Sequence, residues 1–487
     1  MSTRALPHPA FDLTNTRVLP SLERDSWLVA KCKQPVGQLI LLAVFTLLLS
    51  LFTTEYLPIA VFLALTIAFP GHRRAVVSLA GIVMAVAVPN WLDISFLQRI
   101  AAQEGLSHLP LITIRLVVAS VFLLLSALAA LAFRFPRRFP ARRPIFTSIL
   151  CFCAFAVLVS STPLFGRTRI AAWIGVLAVA HMLWFFCYTL TDRDSRGRDS
   201  LPLQTGLWRP VWMLSTNSAT PFAKGAAYLR KIEARNAEEL AVTQLKGLKL
   251  LMWATILRTA QFAYEYLIYL RLSVPKFEVA FSHSVEGHPF RWYVNGLSLV
   301  AAFFLSLLQM SVWGHQIIAC VRMAGFRALR NTYKPMESRT LAEFWNRFYF
   351  YFKELLVDMF FYPTYFRYFK KHPRLRMAAA TMMAACVGNA LFHFLRDISC
   401  VAELGWRGAL VGFQTYLFYC FVLGAGISIS QMRDRRGKDR TQTWVRRRVV
   451  PIICVSGFYC LLHVFDDPSR AYSLRDHFIF VGRLLGL

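Results

Sequence analysis

Apolar runs long enough to cross a membrane recur along the chain, at about 36–54, 57–70 (short), 75–92, 109–133, 144–160, 170–190, 248–270, 293–321, 377–395, 408–430 and 449–465. A helix needs roughly 20 apolar residues to cross about 30 Å of hydrocarbon. Inside hydrocarbon the backbone must satisfy its own hydrogen bonds, which for segments of this length means helices. The pattern predicts an all-α, polytopic integral membrane protein with about eleven transmembrane helices and cytoplasmic interfacial helices. With 56% hydrophobic and only 17% charged residues, composition excludes ordinary soluble domains and disorder. The 487 residues therefore count spans: an arm over 1–35, then one membrane domain over 36–487.

A formal net charge of +29 invites a nucleic-acid reading, so the cations are placed loop by loop. Of 55 Lys and Arg, 41 fall on the side of the N-terminus and 11 on the other, with Arg115, Lys249 and Arg258 inside spans. The bias alternates at every crossing and predicts a cytoplasmic N-terminus and an exterior C-terminus in the plasma membrane or its equivalent. The basic excess is an orientation signal, and no nucleic acid is expected as partner. The first 35 residues, with Pro7, Pro9, Pro20 and Pro35, show no cleavable signal pattern and read as a cytoplasmic arm. Cysteines lie mostly inside spans without paired spacing, so neither a metal site nor a disulfide framework is expected. Phosphate-binding glycine loops and a GxSxG elbow are absent from the sequence.

Two long segments interrupt the hairpin rhythm. The first, 191–247, begins with mixed charges and reads as a cytoplasmic linker with a solvated or interfacial helix. The second, 322–376, is basic and aromatic together, with 12 Lys and Arg. As one helix it would carry Glu343, Arg347, Glu354 and Asp358 in a single stripe, a charged seam on an otherwise aromatic surface. An interfacial helix with paired charges would look the same. In the next span Asn389 and His393 are four residues apart and share a face, continued by Arg396 and Asp397. An ionisable group in a span is costly, and histidine has the range to accept a proton. A purely structural interhelical hydrogen bond explains His393 equally well at this point, as it does His181 and His463.

Gly325-Phe326, Asn331, Pro335, Ser338, Glu343-Phe344-Trp345, Arg347, Asp358 and Tyr362-Pro363 stand in an order and spacing that resembles the signature region of the membrane-bound O-acyltransferase (MBOAT) family, particularly its bacterial members. The resemblance covers about 310–400. That family uses a histidine on a later span, often within Trp-His-Gly. His393 matches by order and setting, within Leu391-Phe392-His393-Phe394 and without the Trp or Gly. The family's second polar position falls near Tyr349, with Asn346 offset by three.

The resemblance implies an O-acyltransferase that uses acyl-coenzyme A or another thioester as co-substrate and a hydroxyl on a lipid, glycan or alcohol as acceptor, with no bound cofactor. His393 would be the base, and Asn389 or Asn346 would orient it or hold the oxyanion. Glu343, Trp345, Arg347, Tyr349, Asp358 and Asn331 would line the donor and substrate site, with His315 as a secondary polar residue of the cavity. The basic 322–376 segment lies on the predicted cytoplasmic side and His393 near the exterior end of its span. A tunnel joining the two levels is therefore expected, with an extracytoplasmic or lipid-dissolved acceptor. A transporter or flippase would also have many spans, but no internal repeat is evident. A non-catalytic scaffold on the same fold is the third reading.

Overall fold

The computed structural model describes residues 18–106, 108–135, 143–192, 199–214, 218–433, 443–466 and 470–487. Among them the chain is helical without a sheet; a single bridge joins Glu233 and Phe326. Eight helices are long and apolar enough to cross a membrane: Leu111–Arg134, Pro144–Ser161, Gly166–Thr191, Ala237–Arg271, Trp292–Met323, Pro373–Arg396, Gln414–Met432 and Val445–Phe465. The protein is an all-helical, multi-pass membrane protein.

The count departs from eleven at identifiable places. Ser26–Cys32 and Pro35–Leu49 form a pair bent by 98°, and Tyr56–Ala68 and Pro70–Ala87 a pair bent by 109°. Counting each pair as one span gives ten. Both bends fall where a proline opens the second arm, a position it favours because its missing N–H is not needed there. Tyr56–Ala68 has 13 residues, about 20 Å of helix, shorter than a hydrocarbon core. The run at 408–430 is divided as well, between Ser399–Gly412, which contains Gly405 at φ 67°, and the helix from Gln414.

Gly166–Thr191 is the central helix. Its apolar stretch is 89% buried, against 17% for Pro144–Ser161 at the periphery. It is apolar around its whole circumference (Trp173, Ile174, Val176, Leu177, Met182, Trp184), which only a buried position accommodates.

The 191–247 segment is not the solvated linker that its flanking charges predict. Gln204 to Leu214 and Ser218 to Ala223 are buried, with Trp208, Trp212 and Phe222 fully enclosed. Arg209 enters this core with two backbone carbonyls as acceptors, Ser218 at 2.9 Å and Met213 at 3.1 Å, and its guanidinium over Trp91 at 5.0 Å. The long Ala237–Arg271 helix then absorbs the rest of the segment, capped by the Asn236 carboxamide oxygen, which accepts from the Glu239 N–H at 2.8 Å.

Polar contacts between loops sort into two separate groups. In one, Lys249 meets Glu23 (3.2 Å), Arg74 meets Glu233 (3.0 Å) and Asp199, Arg73 donates to the Ala234 carbonyl (3.0 Å), and the Arg327 N–H donates to the Ile232 carbonyl (2.7 Å). In the other, Asn90 donates to Glu55 (3.0 Å), Arg99 pairs with Glu403 (2.8 Å), Arg169 with Glu104 (2.5 Å), Trp406 donates to Ser160 (2.6 Å), and Arg470 pairs with Asp397 (2.6 Å). The first group joins the segments around 23, 73, 199–239 and 327; the second joins those around 55, 90, 99–104, 160–169, 397–406 and 470.

Candidate functional site

His393 lies near the end of the Pro373–Arg396 helix, beyond a π-helical stretch over Met383–Gly388. π-bulges inside α-helices concentrate at functional sites. Gly388 makes this one possible: a Cβ there would meet the Phe360 ring at 2.7 Å. Phe360 itself belongs to a second π-helical stretch, Val357–Phe361, so the two distorted segments pack on one another. Asn389 follows Gly388 and is fully buried.

The His393 imidazole is enclosed by aromatic rings: Phe352 edge-on at 5.6 Å, Phe392 at 5.3 Å and Tyr416 at 4.5 Å between centroids. Its Nδ1 is sealed from solvent without a hydrogen-bond partner, as are both amide atoms of Asn389 and Nε1 of Trp345. A buried polar atom left unpaired costs about 1–3 kcal/mol. Native proteins leave few such atoms, and a cluster of them calls for an explanation.

Phe352 is what brings the Glu-Phe-Trp element to this histidine. Its ring packs on Trp345 at 5.5 Å, Tyr349 at 5.5 Å, Phe392 at 4.7 Å and His393. The segment lies inside the protein body: Phe344 stacks on Tyr459 at 3.9 Å, and the Tyr459 hydroxyl donates to the Leu341 carbonyl at 2.8 Å.

The continuous charged seam expected over 343–358 does not form, because the helix is interrupted. Leu341–Phe348, capped by the Thr340 hydroxyl accepting from the Glu343 N–H at 3.1 Å, stops at Tyr349 (φ −138°, ψ 69°), and Phe350–Leu356 begins anew. Residues 331–333 satisfy the broken ends. The Asn331 carbonyl accepts from the Phe350 N–H at 3.0 Å and its side-chain oxygen from the Tyr351 N–H at 3.2 Å; Thr332 Oγ1 donates to the Phe348 carbonyl at 2.7 Å and the Tyr333 N–H to the Arg347 carbonyl at 2.7 Å.

The seam therefore divides into two local arrangements. Glu343 and Arg347 pair with each other at 2.8 Å. Glu354 and Asp358 instead close on Lys224, at 2.5 and 2.9 Å, while the Tyr188 hydroxyl donates to Asp358 at 2.9 Å and Lys353 adds a second cation on Glu354. Burial alone would depress the Lys224 ammonium, but Asp358 and Glu354 outweigh it and hold it above the usual lysine range. Burial likewise raises Glu354, and Lys353 and Lys224 more than offset it, leaving the carboxyl below its ordinary value.

The remaining sequence-predicted residues fall as follows. Tyr349 shares a hydrogen bond between its hydroxyl and that of Thr220 at 3.2 Å, which ties the buried 218–223 segment to the site. His315 is buried on the Trp292–Met323 helix with Nδ1 held on the Ser311 carbonyl at 2.6 Å, and it has no direct contact with His393. Neighbouring Gly314 carries Asn331: a Cβ there would meet Asn331 Nδ2 at 2.7 Å. Asn346 is exposed, so it stands apart from the buried polar cluster that it was expected to join. Sequence reasoning missed Phe352, Tyr416 and Lys224. The two rings are indistinguishable from their many aromatic neighbours, and Lys224 stands far along the chain from its carboxylates. The sequence matches no protein-family model and no curated protein.

Proposed function

We propose that the protein is a membrane-embedded O-acyltransferase that moves an acyl group from a thioester, acyl-coenzyme A, to a hydroxyl of a lipid-dissolved or extracytoplasmic acceptor. One observation carries the reading. The two elements on which the resemblance to the MBOAT family rests, Glu343-Phe344-Trp345 and His393, meet through Phe352 at a cluster of sealed, unpartnered polar atoms. A fold that needed these groups only for structure would have paired them.

In this reading His393 accepts the acceptor's hydroxyl proton as the oxygen attacks the thioester carbonyl, and the amide N–H of Asn389 holds the oxyanion of the tetrahedral intermediate. Collapse breaks the C–S bond, forms the ester and returns the proton from His393 to the thiolate. The aromatic ring wall keeps water out, so the thioester meets a hydroxyl rather than hydrolysing. The interrupted 341–356 segment packs directly on the histidine, which offers the donor a route along it. The grouping of loop contacts supports the sidedness drawn from Lys and Arg: the basic 322–339 stretch gathers with the segments around 23, 73 and 199–239, the side where a coenzyme A polyanion arrives.

The test is mass spectrometry of lipids and surface glycans from cells producing wild type or His393→Ala at matched membrane levels. An acyl-sized increment seen only with wild type is the expected result. Equal product with both proteins would remove His393 from the chemistry, and product confined to soluble cytoplasmic molecules would refute the acceptor side.

A further inference from the structure

One turn beyond His393, Arg396 grips Asp397 through Nε at 2.6 Å and Nη2 at 2.8 Å. Arg470, brought in from the segment before the last helix, donates Nη2 to the same carboxylate at 2.6 Å. One carboxylate thus serves two guanidiniums. Of the nearby acids, Asp466 faces His463 at 3.9 Å and Glu403 is taken by Arg99 at 2.8 Å, so neither pairs with Arg396 or Arg470.

Arg470 is the telling member. Its side chain is only 7% exposed, yet Nη1 is buried with no partner. The guanidinium lies over the Phe413 ring at 5.0 Å, Phe413 packs on Tyr416 at 5.4 Å, and Tyr416 on His393 at 4.5 Å. The unspent donor and the histidine are therefore two aromatic rings apart, beside the same helix end. Guanidinium presents paired donors that match carboxylate and phosphate oxygens, and charge-assisted bonds of this kind are among the strongest available to a protein.

We infer that Arg470 and Arg396 form a docking site for an oxyanion, a phosphate or carboxylate, carried by the acceptor whose hydroxyl reaches His393. The inference rests on the acyltransferase reading and adds the acceptor's class to it: a hydroxylated anion rather than a neutral alcohol. Asp397 holds the two cations at a fixed separation, and the anion completes the coordination of Arg470 Nη1. The phenyl and phenol rings between the two points separate the anionic group from the reacting hydroxyl.

The experiment uses the purified full-length protein in detergent and follows thermal unfolding at constant ionic strength with four probes: inorganic phosphate, glycerol 3-phosphate, glycerate and glycerol. Anionic probes raise the unfolding temperature and glycerol does not; whether glycerol 3-phosphate or glycerate acts at the lower concentration tells phosphate from carboxylate. Arg470→Met weakens the apparent affinity by about tenfold or more, Arg470→Lys by less, and exposed Arg407→Met not at all. Should Arg470→Met fail to fold, the more exposed Arg396→Met carries the same expectation. Stabilisation by glycerol equal to that by the anions, or an anion effect unchanged in the Arg470 and Arg396 variants, would overturn the site. His393→Ala should keep anion binding. Anion binding without any His393-dependent transfer would count against the acyltransferase reading instead, and transfer without anion binding against the docking site alone. In transfer assays Arg470→Met should raise the acceptor KM and leave the donor KM unchanged; a raised donor KM would assign the arginines to the donor and sink the proposal.

Discussion

The Phe352 ring stands edge-on to the His393 imidazole, 86° between planes and 5.6 Å between centroids, and the same ring carries Trp345 on its other flank. A single side chain therefore couples the two segments on which the functional reading depends. Phe352→Ala should cost about 3–5 kcal/mol of stability from the cavity it leaves, and should lower transfer even where the protein still folds. The conservative Phe352→Leu, assayed at matched membrane levels, should recover most of the stability and less of the activity.

Asn389 offers the sharpest contrast between a structural and a chemical role. Both of its amide atoms are buried and unpartnered, so Asn389→Leu removes a standing penalty and should raise stability by about 1–2 kcal/mol. Transfer should fall in the same variant. Loss of stability on this substitution, read by thermal unfolding, would mean that the amide is satisfied in the folded protein and would argue against its holding an oxyanion.

Lys224 neutralises two partly buried carboxylates, Glu354 and Asp358. Removing only the cation by Lys224→Met leaves them facing each other and should destabilise by about 2–4 kcal/mol. The double variant Lys224→Met with Asp358→Asn should lose clearly less than the sum of the single losses, because the three groups act as one network.

The same cluster sets a pH dependence. Glu354 titrates below its ordinary 4.5 when folded, so its contribution is complete above 4.5 and disappears as pH falls through the lowered value. Lys224 titrates above its ordinary 10.5, so its contribution is complete below 10.5 and disappears as pH rises through the raised value. The pair's contribution to the unfolding temperature should be level between about pH 5 and 10 and should decline on both sides. A pH scan of wild type against Lys224→Met, subtracting one profile from the other, isolates it.

Gly314 and Asn346 test position rather than chemistry. Gly314→Ala pushes a methyl group against Asn331, which holds the interrupted helix ends at Phe350 and Tyr351. It should cost about 1–3 kcal/mol and reduce transfer although it touches neither substrate nor His393. Asn346→Ala, on an exposed face, should leave both turnover and unfolding temperature within about 0.5 kcal/mol of wild type. A large loss of turnover at Asn346 would restore it to the site.

How far the sequence reaches can be judged from particular residues. Spacing alone placed Asn389 and His393 on one face, because i and i+4 in a helix always share one. It also paired Glu343 with Arg347. The same rule carried one residue further, to Glu354 and Asp358, assumed an unbroken helix and failed at Tyr349. That break is held by Asn331, Thr332 and Tyr333, whose hydrogen bonds are non-local and leave no periodic trace. The burial of 204–223 was similarly hidden: charges flanking the segment pointed outward, while the tryptophans within it needed the central helix and Trp91 to pack against.

By itself the sequence determined the solvent. Long apolar runs demand a helical, multi-pass membrane protein, since hydrocarbon leaves the backbone no partner but itself. It also singled out His393 as an expensive residue in such a place. Only the tertiary structure decided which groups meet: Phe352 between Trp345 and His393, Lys224 between Glu354 and Asp358, Arg470 beside Arg396 on Asp397. Those meetings depend on where helices bend and break. Bends are settled by packing and by distant hydrogen bonds that compete with local propensity, and no local pattern in the chain records the outcome of that competition.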